Sequence, residues 1–331
     1  MTDVMGGARV SPAHQVTECA WFPRVPPHRF ASPIRAHGRG IPRMSGTVHA
    51  FVADDRRRCS SGLRKFFRSV EDVFVREEPR EQAFAYLCAL LSHPYAGGPV
   101  STDGRNRLLT TARWDEDRMR DRIRDMAASQ VGNGGTLLVT EQGFLKKGSN
   151  SAGVERQFCS ASGRAGNYQI GLFLLWADRY GTITAIDREL LLPPSWLGSP
   201  ARRRSGGIPP DLPPATRDRL AEGMIARALG PVTPARVVAP PTPRVTALLA
   251  GHGIPHTATA GAEADGAARF FRAARHRAGL DRYSVRQWRA WYRHMTLSML
   301  AHAFLTTTRP AAAARPLPAT AHLPATGRAA A

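Results

Sequence analysis

The stretch TLLVTEQGFLKKGSNSAGVERQF, from Thr136 to Phe158, joins a strand-forming run to a polar turn that carries two lysines. The run TLLVT is apolar and β-branched, which is typical of a buried strand. Glycines bound the turn on both sides, and glycine lets a backbone turn tightly and approach another chain closely. This stretch therefore predicts a central strand that ends at Thr140 and delivers a basic turn to the surface.

Three further candidate strands follow, at Val154–Ser160, Asn167–Ala177 and Thr182–Leu192, with turn-forming residues between them. Four strands in succession predict an antiparallel run. The chain then alternates helix and strand, which predicts parallel pairing. The helices of this alternating part are predicted at 213–229 and 243–253, and the strands at 235–239 and 254–260.

The flanking segments complete a four-part organisation. Residues 1–65 are rich in arginine and proline without apolar periodicity, so we expect them to be disordered. A helical region is predicted over 66–130, the α/β core over 131–308, and a disordered Ala/Pro tail over 309–331. The fold class is α/β, with a mixed sheet flanked by helices.

The charge of the chain indicates a polyanionic partner. The formal net charge is +20 at pH 7, and each phosphate that a basic protein neutralises releases condensed counterions. Because 43 of the 46 basic residues are arginine in an Ala/Pro/Gly-rich chain, part of this excess reflects composition. The segment from Ala267 to Ala331 nevertheless holds eleven arginines and one acid. This placement favours double-stranded DNA as the partner.

The cysteines and the apolar runs indicate a cytoplasmic protein. Cys19, Cys59, Cys88 and Cys159 form no CxxC pair, so free thiols are expected rather than a disulfide framework or zinc site. The most apolar run, Ile170–Ala177, is far shorter than a membrane span. We expect no membrane association, and association with the nucleoid if DNA is bound.

Three segments carry a resemblance to a known family: residues 141–177, which include EQGFLKKGSN, residues 185–196, AIDRELLLPPSW, and residues 278–305, which begin AGLDRYSVRQW. They resemble bacterial insertion-sequence transposases of the DDE superfamily, in the branch whose first strand leads into GFLKKG. The similarity runs from about Phe74 to Arg309, with gaps. It implies an RNase H-like core that cuts and joins DNA at the terminal repeats of a mobile element.

The resemblance also implies three carboxylates that hold two Mg²⁺ ions, since strand transfer is an in-line displacement in which paired metals bind the attacking and leaving oxygens. The family positions of these ligands correspond here to Thr140, Pro240 and Ala268. None of the three is a carboxylate. Glu141 is the next residue after Thr140, but a shift of one position turns a strand side chain to the opposite face. We therefore expect no bound metal and no cleavage activity from this chain.

A second departure from the family lies before the penultimate helix. The family carries a long β insertion there, whereas this chain has only a few residues, GAEAD, between the last predicted strand and the helix. The resemblance thus implies a shortened core. Asp187 lies in the AIDREL match, where the family also has an aspartate that is not a ligand, so a structural or solvated role is expected for it.

Several basic residues are candidates for DNA contact. They are Lys146 and Lys147 in the turn and Arg275, Arg286, Arg289 and Arg293 in the last two helices. The arginine stripe of the final helix is equally compatible with contact to phosphates and with exposure to solvent. The same holds for the turn lysines taken alone, but the resemblance favours DNA contact for them. The neighbouring stripe from Val285 to Met299 has the spacing of a packed core.

Three hypotheses for function remain open at this point. The first is an insertion-sequence transposase homologue that has lost its catalytic carboxylates, and the second is a non-catalytic DNA-binding protein or regulator derived from such a transposase. The third is a decaying open reading frame whose product folds poorly. A homodimer is compatible with each.

Overall fold

The computed structural model describes residues 61–91, 102–131, 134–178, 180–258 and 261–307. Most of the segment 1–65 and all of the tail 309–331, for which disorder was expected, lie outside these ranges, as do Cys19 and Cys59. Residues 61–65 are an exception, because they belong to a helix over 61–68. The expectation of disorder was wrong for these five residues. The helix forms because Leu63 and Phe67, four residues apart, both pack into the core.

Four helices precede the sheet. They are α1 (61–68), α2 (Glu77–Leu91), α3 (Thr102–Thr110) and α4 (Glu116–Val131), with a 3-10 turn at Glu71–Val73. The N-terminus of α4 is capped by Asp115, whose Oδ1 accepts the backbone N–H groups of Asp117 at 2.8 Å and Arg118 at 3.0 Å. Helices α2, α3 and α4 all begin inside the stretch 66–130, for which the sequence predicts a helical region.

The sheet has six strands: β1 (Thr136–Leu145), β2 (Glu155–Cys159), β3 (Arg164–Ala177), β4 (Ile183–Leu191), β5 (Arg236–Val238) and β6 (His256–Thr257). One edge of β3 pairs antiparallel with β1, and its other edge pairs antiparallel with β2 and then with β4. Strand β1 pairs parallel with β5, and β5 pairs parallel with β6. The predicted antiparallel run and the predicted parallel pairing are both confirmed.

Helices cover both faces of this mixed sheet. The remaining helices are α5 (Pro194–Leu197), α6 (Pro200–Gly206), α7 (Arg217–Ala228), α8 (Pro243–Gly251), α9 (Ala262–Ala278) and α10 (Trp288–Thr307). Apolar residues of α7 and α8 pack on one face of the sheet, and those of α9, α10 and the N-terminal helices pack on the other. The molecule is an α/β protein of the predicted class, and its sheet is consistent with an RNase H-like core.

Strand β1 is longer than its sequence pattern predicts. It continues past Thr140 to Leu145, and all ten of its residues pair with β3. Its parallel pairing with β5 stops at Leu138. Thr140 therefore lies inside the strand, two residues beyond the point where the parallel half of the sheet ends.

Helix α10 lies at the centre of the molecule. Every residue from Ala290 to Phe304 is buried, because α2, α3, α4 and α9 surround the helix where the sheet does not. Packing of the Val285–Met299 stripe is confirmed, since Trp288, Tyr292 and Met295 belong to the core or pack against it. The same arrangement buries Arg293, one of the three residues of the arginine stripe.

Two smaller findings bear on the sequence expectations. Cys159 is a buried thiol outside any disulfide. In the ranges described above, no helix has the length and the apolar character needed to cross a bilayer.

Candidate functional site

Two of the three positions that the resemblance matches to metal ligands, Thr140 and Pro240, lie side by side at the end of the parallel half of the sheet. Leu138 of β1 pairs with Val238 of β5, and the same register extended by two residues brings Thr140 level with Pro240. Both residues are buried. The parallel register thus supports the correspondence of these two positions.

Helix α9 crosses the face of the sheet to which Thr140 points. Thr140 pairs with Phe173 on β3, and directly opposed residues in an antiparallel pair share a face. The ring of Phe173 contacts that of Phe271 on α9, with the centroids 5.4 Å apart. Ala268 lies one turn before Phe271 on the same helix and is exposed. The helix that carries the third position therefore covers the Thr140 face.

Glu141 points to the opposite face, as strand alternation predicts. Its carboxylate is fully buried and accepts a hydrogen bond from the Nε–H of Arg217 at 2.7 Å. The hydroxyl of Ser160 donates to the other carboxylate oxygen at 3.2 Å. A buried carboxylate is stable when a cation and hydrogen bonds compensate its charge, and Glu141 has both. It is not available to a metal on the Thr140 face.

Other acids near this edge of the sheet are also occupied. Asp218, in the first turn of α7, accepts a hydrogen bond from the hydroxyl of Thr242, which follows β5. Glu263, at the start of α9, forms an ion pair with Arg236 at 2.6 Å. Each of these two carboxylates therefore already has a hydrogen-bonding or ionic partner in the fold.

The residues present do not fit a pair of Mg²⁺ ions. Mg²⁺ takes oxygen ligands and is held in proteins chiefly by carboxylates. Of the three corresponding positions, Thr140 offers a neutral hydroxyl, and Pro240 and Ala268 offer no side-chain donor. Over the residues whose placement is described, no three His, Cys, Asp or Glu side chains form a group able to hold a metal.

A buried ionic network occupies the outer edge of the sheet at β4. Arg227 of α7 donates to Asp187 at 3.0 Å and to Glu189 at 2.5 Å. The hydroxyl of Tyr292 donates to Glu189 at 2.7 Å and accepts the backbone N–H of Leu190 at 3.1 Å. This network satisfies the free edge of β4 and joins α7 to α10. The expected structural role of Asp187 is confirmed.

Arg293 is part of the core rather than of a DNA-binding surface. Its side chain is 1% exposed and donates to the carboxylate of Glu116 at 3.1 Å and to the carbonyls of Ala112 at 2.7 Å and Trp114 at 3.0 Å. These bonds tie α10 to the connection between α3 and α4. The expectation that Arg293 contacts DNA was wrong, because the N-terminal helices cover that side of α10.

Arg289 is exposed to solvent but is also held by an ion pair. Its side chain is 54% exposed, but its Nε donates to the same Glu116 carboxylate at 2.8 Å. Glu116 thus compensates charge on two arginines of the predicted stripe. Arg275 lies half-buried on α9, the helix that carries Ala268.

The turn GFLKKG is held against the connection between α9 and α10. Lys146 Nζ lies 3.4 Å from the centroid of the Tyr283 ring, and this burial lowers the pKa of Lys146 from 10.5 to about 8, with Asp281 acting in the opposite direction. The side-chain amide of Asn167 donates to the carbonyl of Lys146 at 3.0 Å. Lys146 is therefore a partly buried cation in a fixed position.

Two of the predicted DNA contacts come together at this turn. Lys147 and Arg286 are both exposed. The backbone N–H of Ala152, at the end of the turn segment, donates to the carbonyl of Arg286 at 2.8 Å. Lys146, Lys147 and Arg286 therefore belong to one basic region around the turn, although Arg286 is separated from the lysines by more than 130 residues of sequence.

The sequence analysis missed Arg217, the partner of Glu141. The two residues are 76 positions apart, and Arg217 is one of many arginines in the helix RDRLAEGMIARA. Its position at the first turn of α7, directly after the N-cap Thr216, is the only signal that sets it apart from them. No pattern in the sequence singles it out as a carboxylate partner.

Residues 87–239 match the family model for DDE superfamily endonucleases. The matched segment begins in α2 and ends directly after β5, so it contains the antiparallel strands and the first parallel strand. It supports a relationship to the transposase-like DDE endonucleases for just under half of the chain. Pro240 and Ala268 lie beyond the matched segment. No curated protein and no solved structure matches the chain.

Proposed function

We propose that this protein is an insertion-sequence transposase homologue that does not cut DNA by the two-metal mechanism. The observation that carries the proposal is which side chains β1 presents at positions 140 and 141. Thr140 occupies the position where the resemblance implies a metal ligand, and the neighbouring carboxylate, Glu141, is buried on the other face and paired with Arg217. Two-metal phosphoryl transfer requires a cluster of anionic oxygens around the reacting phosphate. The chain does not supply such a cluster at this place.

The test is a nicking and strand-transfer assay on DNA that carries terminal-repeat ends, in the presence of Mg²⁺ or Mn²⁺. We expect no product beyond that formed without protein. A product that depends on the metal and disappears with a chelator would overturn the proposal. A Glu141→Gln variant then shows whether Glu141 is a ligand, if its activity is lost, or whether other acids hold the metal, if its activity is kept.

A second candidate function is non-catalytic DNA binding, and a separate observation favours it. Lys147 and Arg286 are exposed on one surface with Lys146 between them and the core, and basic side chains grouped in this way bind phosphates. A chain that binds element ends without cutting them competes with intact transposases for those ends. We propose double-stranded DNA as its partner.

Binding is tested by titration of fluorescent duplex DNA at several salt concentrations. The logarithm of the association constant should fall linearly with the logarithm of salt concentration, with a slope of several charges. A binding signal that does not respond to salt would argue against phosphate contacts, and no binding at low salt would exclude this function.

A further inference from the structure

The central part of the sheet extends beyond the helices that cover it. Leu145, at the end of β1, is 70% exposed, and the first residues of β3, from Arg164 to Ala165, are exposed as well. Strand β2 pairs with this part of β3 over Glu155–Cys159. We call these exposed strand ends, residues 145–147, 155–158 and 164–167, the sheet arm. Its three strand segments are paired to one another and form a continuous surface.

One face of the sheet arm carries an aromatic ring among cations. Arg156 pairs with Asn167, and Phe158 pairs with Ala165, so Arg156 and Phe158 lie on the same face, two residues apart. The backbone N–H of Lys146 donates to the carbonyl of Asn167 at 2.9 Å. Lys146 and Arg156 therefore flank Asn167 on either side, with their backbones about 10 Å apart, twice the spacing between strands.

The contacts of Tyr283 identify the face of the sheet on which Phe158 lies. Its hydroxyl donates to Gln169 at 2.7 Å, and its ring contacts Phe144, with centroids 5.8 Å apart, as well as Lys146 Nζ. Gln169 is two residues from Asn167 on β3, so both side chains point to the same side of the sheet. The face that bears Phe158 is thus continuous with the surface of Lys146, Lys147 and Arg286.

The exposure and the charge of this surface restrict what it can bind. Phe158 is 43% exposed, and Arg156, Lys147 and Arg286 are exposed. Within the described ranges none of these three cations forms an ion pair, whereas Arg217, Arg227, Arg289 and Arg293 all do. Asp281, close enough to influence Lys146, is the acid that faces the surface. One ring among cations is too small an apolar area for a protein interface core, which is typically depleted of charge.

We infer that the sheet arm binds single-stranded nucleic acid by stacking an unpaired base on Phe158 while Arg156, Lys146 and Lys147 contact the flanking phosphates. A stacking platform bordered by cations is the arrangement that binds single strands without sequence preference. Duplex DNA offers no free base face except at its ends, so its phosphates can contact the cations but its bases cannot stack on the ring. The inference rests on the DNA binding proposed above, and it adds a preference for unpaired or frayed DNA.

The experiment compares a labelled 20-nucleotide oligothymidine with a blunt 20-base-pair duplex, by fluorescence anisotropy on the full chain at constant salt. For Phe158→Ala we expect oligothymidine binding to weaken by about 5- to 150-fold, the range that corresponds to one lost base stack. Duplex binding should change by less than about twofold. Phe158→Tyr keeps the ring and should bind oligothymidine as the original protein does.

Two further variants serve as controls. Tyr180→Ala removes another exposed aromatic residue, 47% exposed, in the connection between β3 and β4, and should leave both affinities unchanged. Arg156→Ala should reduce the salt slope for oligothymidine by about 0.7, the contribution of one phosphate contact on a single strand. The thermal midpoint of Phe158→Ala should match that of the original protein, since Phe158 lies at the surface.

The outcomes separate this inference from the proposed function. If the original protein binds the duplex and Phe158→Ala binds oligothymidine as tightly as before, the stacking site is refuted while DNA binding stands. If the original protein binds neither oligonucleotide at low salt, both proposals fail. Equal losses on oligothymidine and duplex would also refute the stacking role, because they indicate a general effect on the surface.

Discussion

Arg217 donates its Nε–H to the buried carboxylate of Glu141 at 2.7 Å, on the face of β1 opposite to Thr140. This pair explains how a carboxylate can stand next to the family's ligand position and yet take no part in a metal site. The side chain of Glu141 is fully buried, whereas that of Arg217 is 22% exposed. Removal of the arginine leaves a buried charge without its cation, which is costly.

The first prediction follows from this pair. We expect Arg217→Ala to lower the free energy of unfolding by about 1–3 kcal/mol, the usual cost of leaving a buried polar group unsatisfied. Urea denaturation measures it. Arg219→Ala is the matched control, because Arg219 lies exposed on the same helix, and it should change stability by less than about 0.5 kcal/mol. Equal stability of the two variants would show that the pair does not hold Glu141.

The second prediction separates two arginines that the sequence placed in one stripe. Arg293→Ala should destabilise the protein by about 1–3 kcal/mol, because it leaves the carbonyls of Ala112 and Trp114 without their buried donor, while Arg289 still compensates Glu116. Arg286→Ala should leave stability unchanged and weaken duplex binding. Thermal unfolding measures the stability of both variants, and titration with duplex DNA measures their binding. A stable Arg293→Ala variant with weakened DNA binding would reverse these assignments.

The third prediction concerns the pH dependence of DNA binding. Burial lowers the pKa of Lys146 from 10.5 to about 8, so the ammonium is charged at pH 7 and mostly neutral at pH 9. A rise in pH through this range removes one phosphate contact, and the salt slope for duplex DNA should fall by about 0.9. Lys146→Arg keeps its charge throughout and should abolish the change. The assignment fails if the two proteins respond to pH in the same way.

The fourth prediction concerns stability at acidic pH. Nε2 of His294 lies 3.2 Å from the carbonyl of Leu280, which only accepts, so Nδ1 accepts from the Tyr86 hydroxyl at 2.7 Å and the ring is neutral. Burial lowers the pKa of His294 from 6.5 to about 3. The unfolded chain therefore binds a proton below about pH 6.5 that the folded protein does not, and the stability contributed by neutral His294 is lost as pH falls towards about 3.

The limiting slope of that loss is about 1.4 kcal/mol per pH unit. Measurements between about pH 6.5 and pH 5 best separate the effect of His294 from that of the carboxylates. Arginine neighbours lower the pKa values of Asp72 and Asp117, so these two groups titrate at lower pH. Urea denaturation across this range should show the slope in the original protein, and His294→Gln should flatten it. An unchanged slope in the variant would mean that His294 is not the group responsible.

The antiparallel and parallel directions of the strands were predictable from local patterns, because turn-forming residues separate the four successive strands and ARVVA and its neighbours alternate with helices. The order of the strands was not predicted, since β3 rather than β2 is the antiparallel neighbour of β1. The end of β1 was placed too early, because the polar residues Glu141 and Gln142 interrupt the apolar run. Both are buried in the fold, and Ser160 and Arg217, the partners of Glu141, lie further along the chain.

The site was predictable where it depends on strand alternation and not where it depends on distant packing. That Glu141 faces away from Thr140 follows from the two-residue period of a strand. That Arg293 is buried does not follow from helix periodicity, since α3 and α4, which contribute the carbonyls it binds, lie about 180 residues earlier. In the sequence, Arg156 and Phe158 stand only in the short alternation of polar and apolar residues ERQF. That both side chains are exposed follows only from the position of β2 beyond the covering helices.

We claim that the end of the parallel half of the sheet lacks a cluster of anionic ligands among the residues that the structure describes, and direct titration with Mn²⁺ tests this claim. Electron paramagnetic resonance counts free and bound Mn²⁺ without the need for a substrate. We predict no stoichiometric binding to the folded protein at micromolar metal. Two Mn²⁺ ions bound per chain, and lost in a Glu141→Gln variant, would contradict the claim.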